Sequence, residues 1–125
     1  MIDSQRNSYQ IGNYFCPNVV ALLFMRVVAV KTLKQFWEKH ADAEIGLKNW
    51  YERINKTTYQ NPAEVVKDFK NADFVGNTRI VFNVAKNKFR LVAAFRYDKQ
   101  ICWIKFVGTH SEYDKIDVTT IDFES

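Results

Sequence analysis

The chain has 125 residues, 47% of them hydrophobic and 15% aromatic, which suffices for one packed core and is too short for two independent domains. Eighteen Lys and Arg against fourteen Asp and Glu leave a net charge of +4, a weak pull on anions if spread over the whole surface. Cys16 and Cys102 lie 86 positions apart and fit neither a metal-ligand spacing nor a disulfide framework, so the expected setting is reducing and cytoplasmic. The longest apolar run, Val19 to Met25, is far short of the roughly 20 residues that cross a bilayer. No small-x-small cleavage site follows that run, which argues against a secretory signal.

Residues 1–24 are rich in Ser, Gln and Asn, are broken by Pro17 and hold neither helical nor strand periodicity. They read as an appendage, either a misplaced start ahead of Met25 or an N-terminal arm, with the domain itself spanning 25–125. Met25 to Val30 reads as a β-branched strand. Thr32 then caps a helix with Leu33, Phe36, Trp37 and His40 on one face, and Asp42 caps a second with Ala43, Leu47, Trp50, Tyr51 and Ile54 along its stripe. His40 falls on the apolar side of its helix and is expected to be structural. Asn61, Pro62 and Glu64 supply an N-cap, an N1 proline and an acid for a short helix ending near Phe69.

The period changes in the second half. Arg79 to Val84, Lys88 to Tyr97 and Ile101 to Val107 alternate in polarity, and their separators, 85–87 and 98–100, are short enough for hairpins. The expected architecture is α+β: a helical hairpin packed on one face of a small, mainly antiparallel sheet. Alternation assigns Ile80, Phe82, Val84, Phe89, Leu91, Ala93, Phe95, Cys102, Ile104 and Phe106 to the core face. The opposite face then carries Arg79, Asn83, Lys88, Arg90, Arg96, Trp103 and Lys105 among the apolar Val81, Val92, Ala94, Ile101 and Val107. Five of these residues are cationic and none is acidic. Residues 71–110 hold seven bases against two acids, whereas 111–125 hold one base against five acids, so the charge is concentrated on the sheet. Cations interleaved with an exposed aromatic suit single-stranded RNA, whose phosphates pair with the charges while bases stack.

After the last strand, Gly108 permits a turn and Thr109 caps a final helical turn that sets His110, Tyr113 and Asp114 on one side. An imidazole, a phenol and a carboxylate beside a basic groove form an inventory for acid–base work on a phosphodiester, with Asp114 available to fix the imidazole tautomer. No metal cluster, P-loop, dinucleotide fingerprint or nucleophile elbow occurs, so the expected chemistry needs no metal and no cofactor.

Three segments, DFKNADFVGNTRIVFN from Asp68, NKFRLV from Asn87 and GTHSEYDKID from Gly108, resemble the HigB-type toxins of bacterial type II toxin-antitoxin modules, within the RelE superfamily. The likeness runs over about residues 25–117 and begins at Met25, which favours the misplaced start. It implies a RelE-like fold and an mRNA interferase, an endoribonuclease that cleaves messages on the ribosome by attack of the 2′-hydroxyl on the adjacent phosphate. It also implies silencing by a HigA-type helix-turn-helix antitoxin, with operator DNA contacted only through that complex. Carried onto this chain, it nominates His110 and Tyr113 for proton transfer and Arg90 and Lys88 for the reacting phosphate, with Arg79, Asn83, Arg96, Lys105 and Trp103 along the RNA path. A non-catalytic RNA- or ribosome-binding module of the same fold is the alternative reading.

Overall fold

The structure is a computed structural model that describes residues 24–122; the N-terminal appendage expected from the sequence lies outside them apart from Phe24. The elements run β1 (Arg26–Val28), α1 (Val30–Lys39), a 3-10 turn (Ala41–Ala43), α2 (Glu44–Asn55), α3 (Pro62–Asp68), β2 (Ala72–Gly76), β3 (Arg79–Val84), β4 (Phe89–Arg96), β5 (Ile101–Thr109) and α4 (His110–Tyr113). The five strands form one sheet in the order β1-β5-β4-β3-β2, antiparallel throughout except for the parallel β1–β5 pair. No described helix is long and apolar enough to cross a membrane.

The expected helical hairpin covers one sheet face. Leu33 of α1 and Leu47, Trp50 and Ile54 of α2 are buried against Ile80, Phe82, Leu91, Ala93, Phe95, Cys102 and Ile104. His40 stacks on Phe36 with ring centroids 4.3 Å apart and meets the edge of Phe89, the structural role its position suggests. Two helix starts differ from the expected caps. Helix α1 begins at Val30, ahead of Thr32, and α2 follows the 3-10 turn with Ala43 at its N-cap. Asp42 instead turns outward to Lys88. At α3 the reading holds: the Asn61 side chain accepts from Glu64 N at 3.0 Å, with Pro62 opening the helix.

Strand β2 has no counterpart among the elements expected from the sequence. It is a five-residue edge strand that joins β3 through a hairpin with Asn77 and Thr78 at positive φ. A second departure alters the site. Between Val92↔Phe106 and Ala93↔Ile104 the β4–β5 register slips by one residue. Such a bulge reverses the facing of everything beyond it. Val107 therefore packs into the core, and Phe106, assigned by alternation to the core, shares the opposite face with Val92 and Arg90.

That opposite face is not an open groove along its whole length. Arg79 on β3 donates from Nη1 to the carbonyls of Val118 and Ile121 at 3.1 and 2.5 Å, and Asn77 Nδ2 donates to Thr119 O at 2.7 Å. On β5, Lys105 pairs with Asp122. Residues 118–122 thus bridge β3 and β5, and Val81, Val92 and Ala94 on this face are buried. Residues 118–122 cover the part of the cationic sheet that carries Arg79 and Lys105, and none of their hydrogen bonds or ion pairs reaches Asn83, Arg90 or α4 among the described residues.

Candidate active site

Arg90 lies on the central strand β4, directly between Asn83 of β3 and Gly108 of β5 in the sheet register. Its guanidinium makes three contacts at once. Nη1 donates a short hydrogen bond to Asn83 Oδ1, Nη2 lies 3.5 Å from His110 Nδ1, and the guanidinium carbon lies over the Tyr113 ring, 5.2 Å from its centroid. The absence of a side chain at Gly108 opens the path from β4 to α4. A Cβ there would lie 2.6 Å from both Phe106 Cζ and Glu112 Oε1.

Helix α4 is a single turn, so its own hydrogen bonds contribute little, and its position depends on the cap. Thr109 Oγ1 accepts from Glu112 N at 3.2 Å while Glu112 Oε1 accepts from Thr109 N at 2.9 Å, a reciprocal capping box. This fixes where His110 and Tyr113 leave the end of β5. Phe106, brought onto this face by the bulge, lies beside Tyr113 with ring centroids 6.3 Å apart.

Chemically, the cluster offers a fixed cation, an imidazole and a phenol. A guanidinium facing Nδ1 donates to that nitrogen's lone pair, which places a neutral ring's proton on Nε2. His110 Nε2 and Arg90 Nε are both buried without a hydrogen-bond partner among the described residues, a polar inventory larger than the protein itself satisfies. Asp114, which the helical spacing offers as the imidazole's orienting group, is the exposed C-cap of α4, and Arg90 occupies that role.

The remaining sequence-predicted residues are dispersed. Arg79 is buried and its Nη1 is engaged by the carbonyls of Val118 and Ile121. Lys88 reaches back toward the helical layer and pairs with Asp42 at 2.5 Å, which holds the Asp42 carboxyl below the usual range. Arg96, at the far end of β4, pairs with Asp98 in the hairpin turn and lowers that carboxyl likewise. Lys105 stands at the bulge against Asp122. Trp103 is half-buried opposite Ala94, also away from the Arg90 cluster in the register. Asn83 joins the centre as Arg90's acceptor. The residues that alternation alone missed are Phe106, hidden by the bulge, and Gly108, which was legible as a turn but not as the opening beneath Arg90.

A family model described as HigB_toxin, RelE-like toxic component of a toxin-antitoxin system, matches residues 43–116, a span that contains the whole cluster. The chain is 32% identical over 92 residues to the mRNA interferase toxin HigB of Escherichia coli (strain K12), covering 72% of this chain and 88% of that protein. The mRNA interferase HigB of Shigella flexneri gives the same figures. That of Escherichia coli O6:H1 is 24% identical over 94 residues, 74% of this chain and 91% of the relative. With the α+β fold, the helical layer and the matched span in agreement, the chain belongs to the HigB family of RelE-like toxins, the toxic components of toxin-antitoxin systems.

Proposed function

We propose that the chain is an mRNA interferase whose centre is the Arg90, His110 and Tyr113 cluster. The observation that carries this reading is the convergence of both acid–base candidates on one guanidinium. Arg90, fixed by Asn83, binds the non-bridging oxygens of the scissile phosphate and stabilises the charge that builds up as the 2′-hydroxyl adds. His110 and Tyr113 divide the two proton transfers, one taking the proton of the 2′-hydroxyl and the other protonating the departing 5′-oxygen. The bond formed is 2′-O–P and the bond broken is P–O5′, so the reaction leaves a cyclic phosphate and a free 5′-hydroxyl.

Lys88, Arg96, Lys105 and Trp103 extend the RNA path from this centre. The ion pairs of Lys88 and Arg96 are largely exposed and each worth at most about 1 kcal/mol, so a phosphate exchanges readily for the carboxylate partner, whereas Lys105 is mostly covered beside Asp122. The ribosome is the place of cleavage in this reading, the cytoplasm its compartment and a HigA-type antitoxin its inhibitor, with operator DNA bound only through the antitoxin.

The test is cleavage of mRNA by the purified chain, with and without ribosomes, for the wild type and for His110→Ala, Tyr113→Phe and Arg90→Ala. Loss of a proton-transfer group lowers the rate by roughly 10²- to 10⁴-fold. Ribosome association with intact message in the wild type would instead establish a non-catalytic binding module.

A further inference from the structure

The cations carried by β3, β4 and β5 differ in what holds them. Lys88, Arg96 and Lys105 each pair with a carboxylate, that of Asp42, Asp98 and Asp122 respectively. Arg79 is bound by backbone carbonyls. Arg90 has no carboxylate partner among the described residues: its contacts are the Asn83 amide oxygen, His110 Nδ1 and the face of the Tyr113 ring. Neither neighbouring acid of the α4 turn pairs with it. Glu112 Oε1 accepts from Thr109 N at 2.9 Å in the capping box, and Asp114 is the exposed C-cap.

The informative group is the Asn83 amide. Arg90 Nη1 donates to its Oδ1, while its Nδ2 donates to Asn71 O at 3.3 Å, a carbonyl that also accepts Asn83 N–H at 2.9 Å. A guanidinium cannot accept a hydrogen bond and a carbonyl cannot donate one, so a single orientation of the amide makes both contacts. Asn71 O is itself fixed, because its bond with Asn83 N continues the β2–β3 ladder one residue beyond Ala72↔Phe82. A carboxylate in place of this amide would turn one oxygen toward Asn71 O and use the other to neutralise Arg90. A methyl group would leave the charge and remove the anchor.

On the reading that Arg90 binds the scissile phosphate, we infer that Asn83 is a positioning residue that fixes the guanidinium while leaving its charge uncompensated. Held by an amide, Arg90 meets the non-bridging oxygens with its full positive charge as negative charge builds up on them. A carboxylate at the same place would compete with the phosphate for Nη1 and repel it. The bond from Nδ2 to Asn71 O ties this arrangement to the sheet, so the guanidinium is in place before the substrate arrives.

The experiment compares Asn83→Asp, Asn83→Ala and Arg90→Ala, each shown folded by its thermal transition. Single-turnover cleavage is measured under the conditions in which the wild type cleaves, and binding to a 2′-O-methyl RNA, which has no attacking hydroxyl, is measured against salt. Asn83→Asp cleaves about 10²- to 10³-fold more slowly, as when a charge-stabilising donor is lost, and its salt slope falls by about one, as for Arg90→Ala. Asn83→Ala keeps the charge but not the anchor, so cleavage falls about tenfold at the wild-type salt slope. A merely structural Asn83 would give equal losses in the two variants with both salt slopes unchanged, and that result would overturn the assignment. Wild-type cleavage by Asn83→Ala would overturn it as well, and this variant decides the matter if Asn83→Asp fails to fold. Wild-type cleavage by Arg90→Ala would overturn the centre instead, a separate result that no variant of Asn83 can mimic.

Discussion

Gly108→Ala is the smallest change that tests how the centre is built. The added methyl would sit 2.6 Å from Phe106 Cζ, 3.2 Å from Phe106 Cε2 and 2.6 Å from Glu112 Oε1, all well inside van der Waals contact. The carboxylate can swing away only by breaking the capping box with Thr109, a loss of about 1 kcal/mol. The Phe106 ring, which neighbours Tyr113, must also shift, and overpacking of this kind costs about 1–3 kcal/mol. The total is about 2–4 kcal/mol, or roughly 10–20 °C in Tm for a domain of this size. Because the displaced groups carry His110 and Tyr113, RNA cleavage should fall by more than the loss of folded protein explains. The assay is thermal unfolding together with cleavage measured well below Tm. Adding Phe106→Leu, which shortens the clashing ring, should restore part of the stability, and a double-mutant cycle would measure the coupling. A Gly108→Ala chain that melts within about 2 °C of wild type and cleaves at the wild-type rate would refute this construction of the site.

Two further outcomes follow from the same contacts. Arg79→Met keeps the apolar stem but removes two charge-assisted hydrogen bonds to the 118–121 carbonyls, so stability should fall by about 1.5–3 kcal/mol and amide exchange in residues 118–122 should accelerate. The salt slope of RNA binding should not change, whereas removal of a phosphate-contacting arginine would lower it by about one. Asp68, held below the ordinary carboxylate range by the Arg53 guanidinium with help from the Tyr59 hydroxyl, stabilises the fold above its unfolded pKa of about 3.9. That contribution disappears as the pH falls through the lowered native value. Asp68→Asn should therefore be less stable than wild type at pH 7 and show a flatter decline in stability below about pH 4 in denaturant titrations.

The parts of this molecule that local rules govern were legible in the sequence. The apolar stripes of α1 and α2, the Asn61–Pro62–Glu64 helix start, strand β3 and the Thr109 cap of α4 all depend on residues within a few positions of one another. What escaped depends on pairing across the chain. Strand β2 is an edge element with both Asp73 and Phe74 exposed, so it shows no clean alternation. The bulge at Lys105 adds a single residue within a segment that alternates acceptably in either phase, and only the register with β4 reveals that Phe106 and Val107 exchange faces. Residues 118–122 carry no local signal of their place against the sheet because their anchors, Asn77, Arg79 and Lys105, are distant in sequence. Resemblance named the family and nominated Arg90, His110 and Tyr113, while their convergence on one guanidinium became visible only with β4, β5 and α4 in place.

The ends left on cleaved RNA report directly whether Arg90, His110 and Tyr113 promote attack by the substrate's own 2′-hydroxyl, as proposed. The expected products are a 2′,3′-cyclic phosphate on the upstream fragment and a 5′-hydroxyl on the downstream one. A 3′-hydroxyl with a 5′-phosphate would mean that water, not the 2′-oxygen, is the nucleophile, and would contradict it.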